Sequence, residues 1–332
     1  MLNYRPKMFD EASKSHASKN IFIIILIFIA VFIIIAILES IIPTVVSVKP
    51  LLEEIAKSDL EDTSSLLDPS ATMELATKVA SKPAVMIPTM YSTVLGTICS
   101  LIYCRCIEVR KVSSMGVKKA KFFQNYLPGV AIGLVLMTAA VLLGALFGIH
   151  TVKLSDNINI GFIVLYFIGY IIQGMSEEFI FRGYFMTTIG GSGKHTLVAV
   201  VISSVAFSLA HATNPGFGPL PFFNIALFGA FAALYMILFD NIWGVCAIHS
   251  IWNFMQGNFY GISVSGTGDT TSIFRTTAKS SSSFLTGGKF GIEGSILTTI
   301  VLLIATAAVV YGISKKSAAQ QSEAAVSEVV SE

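Results

Sequence analysis

Apolar residues fall in eight long runs separated by polar stretches, and each run is long enough to be read as a helix crossing a bilayer. The first, residues 21–43 (IFIIILIFIAVFIIIAILESIIP), has more than 20 apolar positions, too many for the core of a signal peptide and enough for a transmembrane helix or an uncleaved anchor. The others cover about 84–104, 127–149, 159–188, 196–212, 220–239, 242–260 and 294–312. Breakers punctuate them: GGSGKH at 190–195, Asn214-Pro215-Gly216, and Asp240-Asn241. Residues 44–82 are acidic, with apolar positions at roughly helical spacing over 50–80, and are expected to form a helical outer loop. Residues 261–292 are rich in Ser, Thr and Gly and are expected to be a flexible outer loop.

The pattern predicts an all-α, polytopic membrane protein with about eight transmembrane helices in one bundle. A tail spans 1–19, the bundle 20–313, and a disordered tail 314–332, poor in large apolar residues. With eight helices, the basic segments 1–19, 105–121, Lys194 and Lys315–Lys316 share one side, and the acidic 44–82 loop takes the other. Both termini are then expected in the cytoplasm.

Composition agrees. Of 332 residues, 54% are hydrophobic and 13% charged, against about 25% charged in soluble domains, and mean hydropathy is +0.74. The net charge of +2 gives no reason to expect a nucleic-acid partner. The cysteines Cys99, Cys104, Cys106 and Cys246 lie in or beside apolar segments without metal-site spacing and read as small core residues.

Ionisable residues inside such runs change the picture. Glu177, Glu178 and Arg182 fall within the fourth run, where charge is costly and usually faces the bundle interior in a functional role. On a helix, Glu178 and Arg182 stand i,i+4 on one face and can pair, whereas Glu177 lies about 100° away with no partner at that spacing. A structural ion pair pinning helices is the plain alternative. His211 lies on the fifth run, and His249 and Asn253 share a face of the seventh. Glu177 and His211 are each 17 residues from the turn centre near 194, so an antiparallel hairpin sets them at one depth. A buried carboxylate and an imidazole can activate water, and a second His with an Asn can donate to an oxyanion. Alternatively Glu177, His211 and His249 could ligate zinc, although no H-E-x-x-H is present.

Three motifs in order then carry a resemblance. Glu177-Glu178-Phe179-Ile180-Phe181-Arg182 matches EExxxR, Phe207–His211 matches FxxxH, and His249–Asn253 matches HxxxN. Residues 170–260 thus resemble the CPBP (CAAX protease and bacteriocin-processing, Abi) family of intramembrane endopeptidases. The resemblance implies an eight-helix core. It implies that Glu177 is the general base, with His211 sharing the water and His249 and Asn253 forming the oxyanion hole. Glu178 and Arg182 would support the site. No cofactor is required in this reading; a divalent metal such as zinc is the alternative. The expected partners are a peptide or membrane-protein substrate and the lipid bilayer, in a cell membrane that reads as a bacterial plasma membrane. The competing functions are a non-catalytic bacteriocin-immunity or scaffold protein and a proton-coupled transporter, though no paired repeats support a transporter.

Overall fold

The computed structural model describes residues 4–57, 68–156, 158–267 and 271–331. In order, the helices are α1 (Lys7–Ala12), α2 (Ile21–Lys57), α3 (Pro69–Ala80), α4 (Pro83–Ser92), α5 (Val94–Ile102), α6 (Phe122–Leu146), α7 (Ile160–Glu178) and α8 (Thr187–Gly191). They continue as α9 (Thr196–Leu209), α10 (Pro219–Phe239), α11 (Trp243–Phe254), α12 (Ser283–Thr286) and α13 (Ile296–Ser331). Among the described residues the fold is all-α apart from one two-stranded ribbon, β1 (His150–Leu154) with β2 (Phe274–Ala278).

Six helical segments among the described residues are long and apolar enough to cross a membrane: Ile21–Lys57, Pro83–Ile107, Lys119–Leu146, Ile160–Gly191, Pro219–Phe239 and Ile296–Ala319. The expected count of eight is therefore not met by that measure. The fifth run stops as a helix at Leu209, 14 residues or about 21 Å long, because the chain turns through 210–214 ahead of Pro215. The seventh is α-helical for 12 residues and ends in a π-helical turn over Met255–Phe259.

Two further expectations differ. Residues 261–292 hold β2, α12 and 3-10 turns, so the described part of this stretch is ordered by pairing with β1, whose register runs from His150↔Ala278 to Leu154↔Phe274. His150 is buried, bonds the Val141 carbonyl through Nε2 at 2.8 Å, and is held below the usual imidazole range by that burial. At the other end, α13 continues through 314–331, where Ala, Gln and Glu favour helix.

Within the bundle, α11 packs mainly on α6 and α7, and α10 on α9 and α13. Small residues let backbones close up. A Cβ on Gly133 of α6 would stand 2.7 Å from the Ile248 carbonyl, and one on Gly174 of α7 would stand 2.8 Å from the Ser250 nitrogen. Glu54 near the end of α2 meets Lys78 at 2.5 Å and Lys82 at 2.7 Å, tying α2 to α3 and to the start of α4.

The N-terminal segment, expected as a tail, is docked. Met8 and Phe9 are fully buried, the Met8 amide donates to Asp240 at 3.0 Å, and the Thr196 hydroxyl donates to the Tyr4 carbonyl at 3.0 Å. Lys316 lies over the Tyr4 ring, and Arg110 reaches Thr187 at 3.0 Å. The basic segments 1–19, 105–121, 190–195 and 315–316 therefore gather at one end of the bundle.

Candidate active site

The close approach at Gly174 sets the last turn of α7 against α11. One turn further on, Glu178 and Arg182 are both fully buried and paired at 3.0 Å, the i,i+4 contact the sequence predicts. The helix changes from α to π at Phe179 and stays so to Met186, a local widening that often marks functional positions. Arg182 also stacks on Phe207, its guanidinium carbon 4.2 Å from the ring centre, which partly offsets the burial of its charge.

His249 joins the two helices. Its Nδ1 is 2.8 Å from Glu178 Oε1 and its Nε2 is 3.7 Å from Glu177 Oε2. A Glu178 oxygen thus receives both Arg182 and His249, so the pair fixes the ring's orientation. Glu177 does have a partner on its own helix, contrary to the i,i+4 expectation: Gln173, one turn earlier, donates to Oε1 at 3.2 Å. Glu177 Oε2 has no hydrogen bond among the described residues.

His211 sits in the turn just beyond α9, half-buried, and its Nδ1 lies 2.9 Å from the Phe207 carbonyl. The ring of Phe207 contacts those of both His211 and His249, with centroids 4.9 and 5.8 Å apart. Glu177, His211, His249 and Asn253 all line a single cavity of about 810 Å³, whereas Glu178 and Arg182 lie behind its wall. The four polar positions proposed from sequence are thus brought to one space, and the two supporting ones back it.

Sequence reasoning passed over several neighbours. Glu39, from the first apolar run, also lines the cavity and accepts the Gly96 amide at 3.0 Å. The rule that singled out Glu177, a carboxylate in a membrane-length run, applied equally to Glu39. Phe207, read as ordinary core, is the shared aromatic floor of Arg182 and both histidines. Glu293 accepts from Ser265, Trp252 and Gln256; no local pattern signals it. Of the cysteines, Cys104 and Cys246 are buried as expected, but Cys106 is exposed.

The zinc alternative needs Glu177, His211 and His249 to converge. Among the described residues no group of three or more His, Cys, Asp or Glu side chains is placed to hold a metal ion; the Nδ1 atoms of both histidines are engaged by Glu178 and Phe207, which leaves Nε2 as the ring nitrogen available to a ligand. As they stand, the three side chains named for zinc are not clustered around one point.

Residues 159–255 match the family model described as Type II CAAX prenyl endopeptidase Rce1-like. No curated protein and no solved structure matches. The matched segment runs from the residue before α7 to just beyond α11 and contains every residue of the three motifs; over this part the membrane-embedded chain is similar to the Rce1-like endopeptidases of the CPBP family.

Proposed function

We propose that the protein is an intramembrane endopeptidase that hydrolyses a peptide bond in a membrane-associated peptide or protein, with Glu177, His211, His249 and Asn253 as the reacting set. The observation that carries this reading is the shared cavity, lined by all four side chains, with the Glu178–Arg182 pair holding His249 from behind. Glu177 Oε2 takes a proton from water. His211, whose Nδ1–H is committed to the Phe207 carbonyl, presents Nε2 as an acceptor for the same water. The hydroxide adds to the scissile carbonyl carbon, and the oxyanion accepts from Asn253 and from His249 Nε2–H, the ring's Nδ1–H resting on Glu178. Glu177 then returns the proton to the departing amide nitrogen, the C–N bond breaks, and a carboxylic acid and an amine leave, the acid passing its proton to the amine in water. Apolar walls keep bulk water away and strengthen each of these interactions.

The positive-inside rule adds that the basic end of the bundle, and with it both termini, faces the cytoplasm. The test of the chemistry is cleavage of a quenched-fluorescence peptide pool by the full chain in proteoliposomes. Glu177→Ala, His211→Ala and His249→Ala are each expected to lose about 10²–10⁴-fold in rate. A Glu177→Ala protein that cleaves like wild type overturns the reading.

A further inference from the structure

The cavity has a polarity of its own. Its lining includes the carboxylates of Glu39, Glu177 and Glu293 but, among the described residues, no Lys or Arg; the rest is largely apolar, Met73, Met86 and Met90 included. The three carboxylates are not equivalent. Glu293 is saturated by the Ser265 amide and hydroxyl at 2.8 and 2.7 Å, by Trp252 at 3.2 Å and by Gln256 at 3.3 Å, and so serves to fix its own loop. Glu177 belongs to the reacting set. Glu39 has one amide donor, Gly96, and no ion-pair partner among the described residues. It lies some 27 Å along α2 from Ile21, inside the membrane-length apolar run and toward the far side of a ~30 Å hydrocarbon layer, and an ionisable group in such a run marks function.

A second observation points to a ligand at the same place. Ser176, only 1% exposed, lines this cavity with its hydroxyl unpartnered among the described residues. Its Oγ and Glu39 Oε1 converge on Gly96: a Cβ there would stand 2.5 Å from the first and 2.7 Å from the second. Gly96 leaves room for this pairing of a buried hydroxyl with a carboxylate, and any side chain at that position would fill it. Carboxylate and hydroxyl oxygens together accept from a cation bearing several N–H bonds.

We propose that Glu39, assisted by Ser176, is a specificity-determining residue that receives a cationic group of an apolar peptide substrate. The cation is a Lys or Arg side chain or a free α-amine, sources that share the same donor chemistry. Because Ser176 directly precedes Glu177, the cation falls within a residue or two of the bond placed for attack, given ~3.5 Å per extended residue. The apolar wall takes the flanking side chains, and a peptide with an acidic residue at that position meets like charge in a low-dielectric space and is rejected. Glu39 precedes the Rce1-like segment, so this selectivity is a feature of this chain's α2. The inference rests on the peptidase reading for the identity of the ligand.

Binding can be read apart from cleavage. Short apolar peptides carrying a single Lys, norleucine or Glu, each with a free or acetylated N-terminus, are titrated by fluorescence anisotropy into the full chain in detergent micelles. Wild type is expected to bind the Lys peptide about tenfold or more tighter than the Glu peptide. Glu39→Gln, which keeps an oxygen for the Gly96 amide, is expected to bring the two within about twofold with an unchanged melting temperature, and Glu39→Lys to invert the order. A preference that depends on the free amine and not on Lys assigns the cation to the peptide's N-terminus. Equal affinities in wild type, no binding of any peptide, or a Lys preference that survives Glu39→Gln overturns the proposal. Selective binding without cleavage of any peptide leaves it standing and overturns the hydrolytic reading.

Discussion

At the scale of single residues, the site depends on a charge that never meets water. Arg182 is fully buried, and Glu178 is its one carboxylate partner within hydrogen-bond distance among the described residues. Glu178→Ala strands that charge and removes the acceptor of His249 Nδ1, so it is expected to destabilise the fold by about 3–5 kcal/mol. Replacing both, as Glu178→Met with Arg182→Met, removes the stranded charge and is expected to recover most of the melting temperature in detergent. Cleavage is expected to stay about 10²–10⁴-fold low even so, as when an orienting carboxylate is lost from a catalytic histidine. A double variant that is stable and fully active would show that Glu178 does not position His249. Much of this pair was legible from four-residue spacing alone, because Glu178 and Arg182 share a helix. Gln173 beside Glu177 was just as local and was missed by looking only in the C-terminal direction. Glu39 was legible as a carboxylate in a membrane-length run, but its neighbours Gly96 and Ser176, 57 and more positions away, were not.

Among the elements, the decisive contact is between α7 and α11. Gly174→Val places carbon against the Ser250 backbone nitrogen, 2.8 Å from where a Cβ would stand, at an overpacking cost of about 1–3 kcal/mol. The helices must part to admit it, and the 2.8 Å bond between His249 and Glu178 lengthens with them. Peptide cleavage is therefore expected to fall far more than thermal stability. Gly161→Ala, near the start of α7 with only Asn159 within 4 Å of a new Cβ, is the control expected to behave as wild type. The helices themselves were readable because membrane-length apolar runs leave few alternatives. Their ends were less so: α9 and α11 stop short of the apolar runs they come from, one in a turn before Pro215 and the other in a π turn. The β ribbon was invisible because HTVKL is five residues long and its partner lies some 120 positions later.

For the whole molecule, the gathering of basic segments at one end sets orientation. Cys106 is the exposed thiol at that end; Cys104 and Cys246 are buried and Cys99 is half-buried. A membrane-impermeant maleimide is expected to leave Cys106 unmodified in intact cells and to label it once the membrane is opened. Labelling in intact cells would place the basic end outside. The sidedness was read from loop charges, whereas the docking of α1 was not, since a short amphipathic segment with four basic neighbours looks like any soluble tail until Phe9 is seen against Gly190.

The brevity of α9 has a consequence for the surrounding lipid. Leu197, Val201, Val205 and Leu209 form its exposed stripe, which covers only about 18 Å from first to last, well short of the ~30 Å hydrocarbon layer. Acyl chains bordering this helix must shorten or bend to meet it, and that compression is concentrated beside His211. Reconstituted in phosphatidylcholines of increasing tail length, the protein is expected to lose peptide cleavage steadily as the bilayer thickens; a flat profile would mean that neighbouring helices bear the mismatch instead.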